Sequence, residues 1–486
     1  MRVSTMARSG AIIGAGLLAA ASATALAAPA QVRAPAAAER IAPPSIAEPA
    51  AAMPKAPTPP TAAALPTTAP TPTPTAPPST APALDPLVPD ETAIIEPAPP
   101  LATWTRADAQ ALAAAIKGIG SEGLNPADYA PAELTAEIAI GEGDALNVLA
   151  SRLFAWLAED LRDGRTPVPA RVQWFVVDPD QDLQPNALLL AQATETHDIP
   201  GVLASLAPTH PDYASLKDML VAAKDPRQRA MIRANLDRWR WLARDLGTQY
   251  LAINVPEQEL RLTVRNKIIR TYRAIVGKPG RTATPQLAEK VRNVVFNPTW
   301  TVPQSIVQGE GLGARLLASP AKAKREGYVA TKAADGFVTV VQQPGGQNAL
   351  GKVKLDMPNE HAIYIHDTPN RNLFAQPMRA LSHGCIRAER ATELAMTMAI
   401  LGADLPPATA VEYNLSGKYT KVPMTTPWPV YITYFTVARD VNGLMRSFGD
   451  LYERDAPVIT SFAAPRALHT AQRKSAEAVI KLDNPL

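Results

Sequence analysis

Rare residues that could do covalent chemistry cluster between positions 361 and 389. Cys385 is the only cysteine in 486 residues, and three of the six histidines, His361, His366 and His383, lie in the same stretch. A thiol is mostly protonated at neutral pH, and a neighbouring imidazole can accept its proton. The combination therefore predicts a cysteine nucleophile assisted by a histidine base.

Two of these histidines are candidate bases. His383 precedes Cys385 by two residues, a spacing that puts both side chains on one face of a strand. His366 ends a predicted strand, which would give it a fixed platform, and Asp367 or its backbone could orient the ring. We favour His366. Gly384 suggests a tight turn in which the backbone N–H groups of His383, Gly384 and Cys385 could converge on an oxyanion.

The block Ser382-His383-Gly384-Cys385-Ile386-Arg387, preceded by His366, resembles the active-site signature of L,D-transpeptidases with a YkuD-type catalytic domain. The segments Val276-Gly277-Lys278-Pro279 and Ile365-His366-Asp367-Thr368-Pro369 resemble the large periplasmic, YcbB-like branch of that family. The likeness spans roughly residues 101–455. This branch usually carries a small peptidoglycan-binding module between its scaffold and catalytic parts, and this chain has no room for one.

The resemblance implies roles for particular residues. Cys385 would be the nucleophile and His366 the group that accepts and returns its proton, while the amides of His383, Gly384 and Cys385 would form the oxyanion hole. The stretch that begins at Trp300 looks like the substrate-capping loop of the YcbB-like branch. The residues that would contact the substrate are Trp300, Tyr364, Ser382 and Arg387.

The implied function is periplasmic cross-linking of peptidoglycan stem peptides. Cys385 would attack a tetrapeptide donor at its third residue, D-alanine would leave, and the side-chain amine of a diamino acid on a second stem would resolve the thioester. Acylation of a thiol needs no metal or cofactor, and other cell-wall synthases are candidate partners. Alternatives with the same thiol are an L,D-carboxypeptidase and a peptidase that releases wall-linked proteins. A non-catalytic cell-wall binding protein is a further alternative.

Two other interpretations concern the residues themselves. Cys385 could be a buried structural thiol, as free cysteines often are. His361, His366, His383 and Cys385 also have the right number of ligands for zinc. However, no Cys-x-x-Cys or His-Glu-x-x-His spacing is present, and His361 and His366 on one strand would point to opposite faces.

Two groups of secondary-structure elements must position these residues, which predicts an α+β fold. Residues 101–246 show helical spacing of apolar residues and are predicted to form a mainly helical scaffold domain. After Gly247 the pattern changes to period two, which predicts a β-rich catalytic domain over 247–412 and a C-terminal β-containing extension and tail over 413–486. Within the catalytic domain, residues 297–335 look irregular and are predicted to be a capping loop. His197 and His210 are interpreted as ordinary surface or turn residues.

The predicted helices are Thr105–Ile119, Ala145–Leu161, Leu216–Ala223, Arg229–Leu246 and Ala388–Leu401. The predicted strands are Tyr250–Val255, Glu259–Val264, Ile268–Val276, Val291–Phe296, Phe337–Gln342, Ala362–His366 and Val430–Val437.

The N-terminal hundred residues have a composition of their own. Residues 1–28 have basic Arg2 and Arg8, an apolar run and small residues at Ala25-Leu26-Ala27, which predicts a cleaved signal peptide and periplasmic export. An uncleaved anchor is the alternative, and it would be the protein's single contact with a membrane. Residues 29–100 are Pro, Ala and Thr in near repetition, which predicts a disordered tether. The formal net charge of only +3 argues against a nucleic-acid partner.

Overall fold

The computed structural model describes residues 101–309, 311–468 and 474–478. The predicted signal peptide and tether lie outside these residues. The described residues all belong to one compact unit. In this part of the chain, no helix combines the length and the apolar character needed to cross a bilayer.

Helices fill the first half of the described chain. They are α1 (Arg106–Gly118), α2 (Pro131–Ile140), α3 (Asp144–Asp163), α4 (Asp180–Leu183), α5 (Asn186–Thr196), α6 (Ile199–Ser205), α7 (Pro211–Ala222) and α8 (Pro226–Trp239). The first six of them, apart from α4, share an apolar core to which α1 contributes Leu112 and Ile116 and α3 contributes Leu153 and Leu157. Thr105 caps α1 by accepting from the Asp108 amide. The predicted helical scaffold is thereby confirmed.

The predicted helices Leu216–Ala223 and Arg229–Leu246 correspond to α7 and α8, and the chain breaks between them. Pro226 cannot continue a preceding helix and instead starts the new one, where the Asp225 side chain accepts from the Gln228 amide. The second helix also ends at Trp239 and not at Leu246. Buried Arg240 then donates to the Glu122 carbonyl and the Tyr213 hydroxyl, tertiary contacts that no local pattern encodes.

Strands dominate the second half, as predicted. They are β1 (Gln249–Asn254), β2 (Glu259–Val264), β3 (Lys267–Gly277), β4 (Leu287–Phe296), β5 (Trp300–Thr301), β6 (Tyr328–Lys332), β7 (Val338–Gln342), β8 (Val353–Asp356), β9 (Ile365–His366), β10 (Ala380–Ser382), β11 (Ile386–Ala388), β12 (Thr420–Thr433), β13 (Val437–Arg439) and β14 (Met445–Ser447). The accompanying helices are α9 (Gln304–Gly309), α10 (Leu312–Ala318), α11 (Pro320–Arg325), α12 (Ala391–Gly402), α13 (Pro407–Leu415) and α14 (Asp455–Ser461).

One large sheet has the order β10-β3-β11-β9-β8-β4-β12-β1-β2, and an additional pairing of β2 with β3 closes it on itself. β12 comes from the predicted C-terminal extension, yet it lies between β4 and β1 in this sheet. The core between the sheet and its covering helices is apolar, with Leu251, Ile365 and Ile386 almost fully buried. This core fixes β9 and β11, the two short strands that carry the candidate catalytic residues.

Residues 300–342, which we call the capping subdomain, are folded where the sequence predicts an irregular loop. They contain α9 to α11 and a small sheet in which β7 lies between β5 and β6. Six side chains form a separate apolar cluster here: Val302, Val307, Leu312, Leu316, Ala323 and Val340. Each short segment supplies only one or two of these side chains, so no segment shows a periodic pattern by itself.

Candidate functional site

The pairing of β9 with β11 brings the predicted nucleophile and base to the same part of the sheet. The two strands are parallel, with Ile365 opposite Ile386 and His366 opposite Arg387. The Ile386 amide donates to the Tyr364 carbonyl at 3.0 Å, which continues the register to Tyr364 and Cys385. Because side chains alternate along a strand, four residues share one face, opposite the buried isoleucines. They are Tyr364, His366, Cys385 and Arg387.

The thiol of Cys385 is surrounded by the segment that leads into β9. Its Sγ lies 3.6 Å from the Ala362 carbonyl oxygen. The Tyr364 backbone N–H and phenol both interact with the sulfur and favour its thiolate, and the Trp300 side chain interacts with that phenol. Cys385 as a residue is partly exposed, but burial of the thiol is the main cause that raises its pKa. The protein therefore holds a neutral thiol at pH 7.

His366 is buried and its ring is fixed by one hydrogen bond. Its Nδ1 lies 2.6 Å from the Asp367 carbonyl oxygen. A carbonyl only accepts, so Nδ1 carries the proton and Nε2 is left as the basic atom. Burial, followed by the charge of Arg387, lowers the pKa of His366 to about 3. The imidazole is therefore neutral at pH 7, as a candidate base must be.

Asp367 acts on this ring through its backbone. Its carboxylate instead accepts from the Lys352 amide at 2.9 Å and from the Arg371 guanidinium at 3.1 Å. Of the two ways in which Asp367 was expected to orient His366, the carbonyl is the one in contact with the imidazole. The carboxylate stabilises the chain that leads into and out of β8 and β9.

The turn around Cys385 is held by hydroxyl groups. Buried Ser382 donates to the Cys385 carbonyl at 2.6 Å and accepts from the Gly384 amide at 3.1 Å. Gly384 has a φ of +117°, in the region that favours glycine. Thr284 donates to the Gly384 carbonyl at 2.8 Å and ties the turn to the end of β3. The side chain of His383 is exposed.

This geometry corrects one expectation about the oxyanion hole. The Gly384 amide is engaged by the Ser382 hydroxyl, so it does not point to an oxyanion together with its neighbours. The amides of His383 and Cys385 remain as the candidate donors of this turn. Ser382 is therefore placed to shape the turn from within.

Two cations lie close to the candidate pair. Lys354 is opposite His366 on β8, with its Nζ 3.0 Å from the Asp356 carboxylate and 4.2 Å from the centre of the Tyr364 ring. Arg387 is different, because its buried Nε has no hydrogen-bond partner among the described residues. A buried donor without an acceptor is uncommon and costly in a folded protein. Arg387 is thus a cation beside the thiol whose guanidinium is incompletely satisfied.

Some supporting residues were not predicted from the sequence. The Asn359 side chain donates to the carbonyls of Met357 and Ile363 and accepts from the amides of His361 and Ile363. It thereby folds the turn that presents Ala362 and Tyr364 to the thiol. The adjacent Pro358-Asn359 pair is a recognisable turn signal. Thr284 and Lys354 have no local signal, because their partners are distant in sequence.

The four residues considered as zinc ligands do not gather. Within residues 101–309, 311–468 and 474–478, no three His, Cys, Asp or Glu side chains are grouped as metal ligands would be. The ring of His361 packs against Phe175, with ring centroids 4.2 Å apart.

Two parts of the chain match known protein families. Residues 248–424 match the model described as the L,D-transpeptidase catalytic domain, YkuD. Residues 102–220 match the model described as the Scaffold domain. A Haemophilus influenzae protein provisionally named an L,D-transpeptidase is 32% identical over 221 residues. That match covers 42% of this chain and 44% of the Haemophilus protein, so the chain spans less than half of that relative's length.

Solved structures give weaker matches. An L,D-transpeptidase from Mycobacterium smegmatis is 14% identical and covers 38% of this chain and 58% of its own, with a TM-score of 0.20. A mutant L,D-transpeptidase from Enterococcus faecium is 15% identical and covers 38% of this chain and 50% of its own, with a TM-score of 0.19. The likeness of this chain to known proteins is therefore carried by the sequence matches.

Proposed function

On the premise that residues 248–424 form a catalytic domain of the L,D-transpeptidase family, we propose that this protein cross-links peptidoglycan stem peptides through an acyl-enzyme on Cys385. The observation that carries the proposal is the register of β9 and β11. It places the chain's one thiol and a buried imidazole with a free Nε2 on the same face. A neutral nucleophile beside a neutral base is suited to acyl transfer in which the proton moves as the bond forms.

The reaction would begin when a tetrapeptide donor reaches Cys385. The sulfur of Cys385 attacks the carbonyl carbon of the donor's third residue, and the thiol proton passes to His366 Nε2. The amides of His383 and Cys385 hold the oxyanion of the tetrahedral intermediate. His366 then gives the proton to the nitrogen of D-alanine, which leaves, and a thioester remains.

The second half would reverse these roles. The side-chain amine of a diamino acid on another stem attacks the thioester, and His366 removes a proton from that amine. Collapse of the intermediate forms the new amide and expels the sulfur, which recovers the proton from His366. The overall acyl transfer needs no oxidant, reductant or other co-reactant. The capping subdomain, through Trp300, would border the bound peptides together with Tyr364.

Arg387 would bind the carboxylate of the departing D-alanine. Its guanidinium lacks a partner for Nε and lies next to both Cys385 and His366, and a carboxylate is the group that a guanidinium binds best. The positive charge of Arg387 lowers the pKa of His366. A bound carboxylate would offset that charge, so His366 would become a stronger base when the donor is in place.

The proposed reaction determines the cellular compartment in which the protein acts. Peptidoglycan lies outside the cytoplasm, and we propose that residues 1–28 export the enzyme to the periplasm and that residues 29–100 tether it. Other cell-wall synthases, which act on the same peptidoglycan polymer, are the proposed partners.

The decisive test is mass spectrometry of products from a disaccharide-tetrapeptide. We expect cross-linked dimers and free D-alanine with the parent protein and neither product with Cys385→Ser. His366→Ala should lower the rate by about 10²–10⁴-fold, as loss of a general base does, whereas His197→Ala should have no comparable effect. Loss of D-alanine without dimers would support the carboxypeptidase instead. Equal rates for the two histidine variants would refute the assignment of the base.

The Arg387 assignment has its own experiment. A donor whose terminal carboxylate is amidated should react more slowly with the parent protein, by about tenfold or more, since a charge-assisted hydrogen bond is lost. Arg387→Gln should react slowly with both donors and discriminate little between them. If the variant still prefers the free carboxylate as strongly as the parent does, Arg387 does not bind it.

A further inference from the structure

A cavity of about 430 Å³ lies where α7 and α8 meet the strands β1, β2 and β12. It shares no lining residue with the surroundings of Cys385 described above. Aromatic and aliphatic side chains form much of its wall, including Leu242, Tyr250, Tyr431 and Phe435. Its size is within the range of cavities that hold small ligands, which often lie between a helical layer and a sheet in this way.

Two buried donors in the lining have no acceptor. The indole N–H of Trp239 and the Nε–H of Arg261 lack a hydrogen-bond partner in the described part of the chain, and the two residues are only 7% and 9% exposed. The Trp239 ring is fixed, because His210 stacks on it at 4.3 Å and Phe435 at 4.8 Å. Buried donors are normally paired, so both point to a ligand that supplies acceptor oxygens.

The charges around the cavity also favour acceptors. Arg261, Lys267 and Arg439 line it together with a single carboxylate, Asp212, which pairs with Arg439 at 3.1 Å, and Arg261 pairs with Glu257 outside the lining, so Lys267 supplies the surplus positive charge. The twelve-residue helix α7 begins at this wall with Pro211, so the positive end of its dipole is nearby. Burial lowers the pKa of His210, which keeps that ring neutral.

The strands of this wall exclude one kind of occupant. β1 is paired on both sides, with β12 and β2, and β2 is paired with both β1 and β3. An extended peptide that binds a sheet usually adds itself to a free strand edge, and these strands offer none. The cavity is therefore better suited to a compact ring than to a peptide.

We propose that this cavity binds an N-acetylated sugar of the peptidoglycan glycan strand, an inference that rests on the proposed function. The acetamido carbonyl would accept from the Trp239 and Arg261 N–H groups. The C–H face of the sugar ring would pack on Tyr431, whose ring is partly exposed. The chain has no separate glycan-binding module between its helical and β-rich parts, so this cavity would hold the strand whose stem peptides react at Cys385.

Isothermal titration calorimetry with the peptide-free disaccharide of N-acetylglucosamine and N-acetylmuramic acid tests the proposal. Ala252 lines the cavity from β1, and Ala252→Phe should fill it and weaken binding at least tenfold relative to the parent. Ala114→Phe is the control, because Ala114 is exposed on α1 and outside the cavity. Trp239→Phe keeps the stacked ring and removes the donor, and it should weaken binding as well. Circular dichroism establishes that each variant is folded.

The outcomes are distinct. No binding by the parent, or equal binding by parent and Ala252→Phe, would overturn the proposal. Competition by a sugar-free stem tetrapeptide for the same cavity would also overturn it and would indicate a peptide site. Turnover of that tetrapeptide by the parent is measured in parallel. If turnover is absent while the disaccharide binds and Ala252→Phe weakens it, the proposed cross-linking function fails and the sugar site stands.

Discussion

At the scale of single residues, the site holds its proposed nucleophile and its proposed base uncharged. Burial raises the pKa of the Cys385 thiol and lowers that of His366 to about 3. Many cysteine enzymes instead hold a thiolate beside an imidazolium. Here the cations Arg387 and Lys354 favour a thiolate but disfavour an imidazolium. The proton would therefore leave the thiol only when a substrate is bound.

The resting state can be measured by thiolate absorbance at 240 nm. Because burial raises the pKa of the thiol, we expect the titration midpoint of the parent protein to lie above pH 9. Cys385→Ser removes the one cysteine and provides the baseline. A midpoint of about pH 5–7 would reveal a resting pair of thiolate and imidazolium, as at activated cysteines. That result would contradict this description.

Stability should also report on His366. In the unfolded chain this histidine takes up a proton below about pH 6.5, but in the folded protein only below about pH 3. The unfolded state therefore binds more protons between these values, so this group lowers stability as the pH falls through that window. Thermal unfolding of the parent and of His366→Asn should show that the variant loses less stability from pH 6.5 to 4. Parallel curves would mean that His366 is not held neutral.

At the scale of elements, the capping subdomain is connected to the nucleophile through two side chains. Trp300 begins the subdomain on β5 and interacts with the Tyr364 phenol, which interacts with the Cys385 sulfur. The subdomain has its own apolar cluster, including Leu312 and Leu316. Deleting residues 309–324 would remove part of this cluster, so a point substitution is the cleaner test of a role in catalysis.

Trp300→Phe should impair catalysis without unfolding the subdomain. The substitution keeps most of the ring and removes the indole N–H that interacts with the Tyr364 phenol, and a hydrogen bond between such groups is worth about 0.5–1.5 kcal/mol. We expect kcat/KM for a stem-peptide substrate to fall by up to about tenfold, with little change in Tm. Ile306→Val trims the same apolar cluster and serves as the control. Unchanged kinetics in Trp300→Phe would show that the contact with Tyr364 has no part in turnover.

At the scale of the whole molecule, the end of the described chain is tied back to the first helices. Arg466 lies in a buried network with Glu159 and Asp160 of α3, at 2.5 Å and 2.9 Å. Tyr129 donates to Asp160 at 2.6 Å. Burial raises the pKa of Asp160 to about 7, and the charge of Arg466 is the main opposing influence. This network joins residues about three hundred positions apart and fixes the scaffold against the C-terminal segment.

Arg466→Met should destabilise the folded protein by about 3 kcal/mol, since it leaves buried carboxylates without their counter-charge. Without Arg466 the pKa of Asp160 would rise further, so the folded state would hold its proton more tightly than the unfolded state. The loss of stability should therefore be larger at pH 8 than at pH 5. Urea unfolding at both pH values measures this loss of stability.

Arg446→Met is the control. It breaks an exposed pair with Asp440 and should change stability by less than about 0.5 kcal/mol. Similar losses for both variants would contradict the network's importance.

The sequence by itself determined the reactive residue types and the class of fold. Cys385 and the histidines near it stand out because few residue types can form or assist a covalent acyl intermediate. They lie close together in the sequence, so they can be recognised without the tertiary structure. The helices α1, α3, α7, α8 and α12 and the strands β1 to β4, β7 and β12 were also predictable, since their apolar periodicity is local. The break between α7 and α8 follows from Pro226 in the same way.

Only the tertiary structure decided how these parts meet. β9 is only the last two residues of the strand predicted over Ala362–His366, yet its pairing with β11 puts His366 beside Arg387 and Tyr364 beside Cys385. The place of β12 between β4 and β1, the apolar cluster of the capping subdomain and the Arg466 network are equally non-local. Strand register, separate small cores and buried charge pairs depend on residues that are distant in sequence, and local spacing carries no record of such partners.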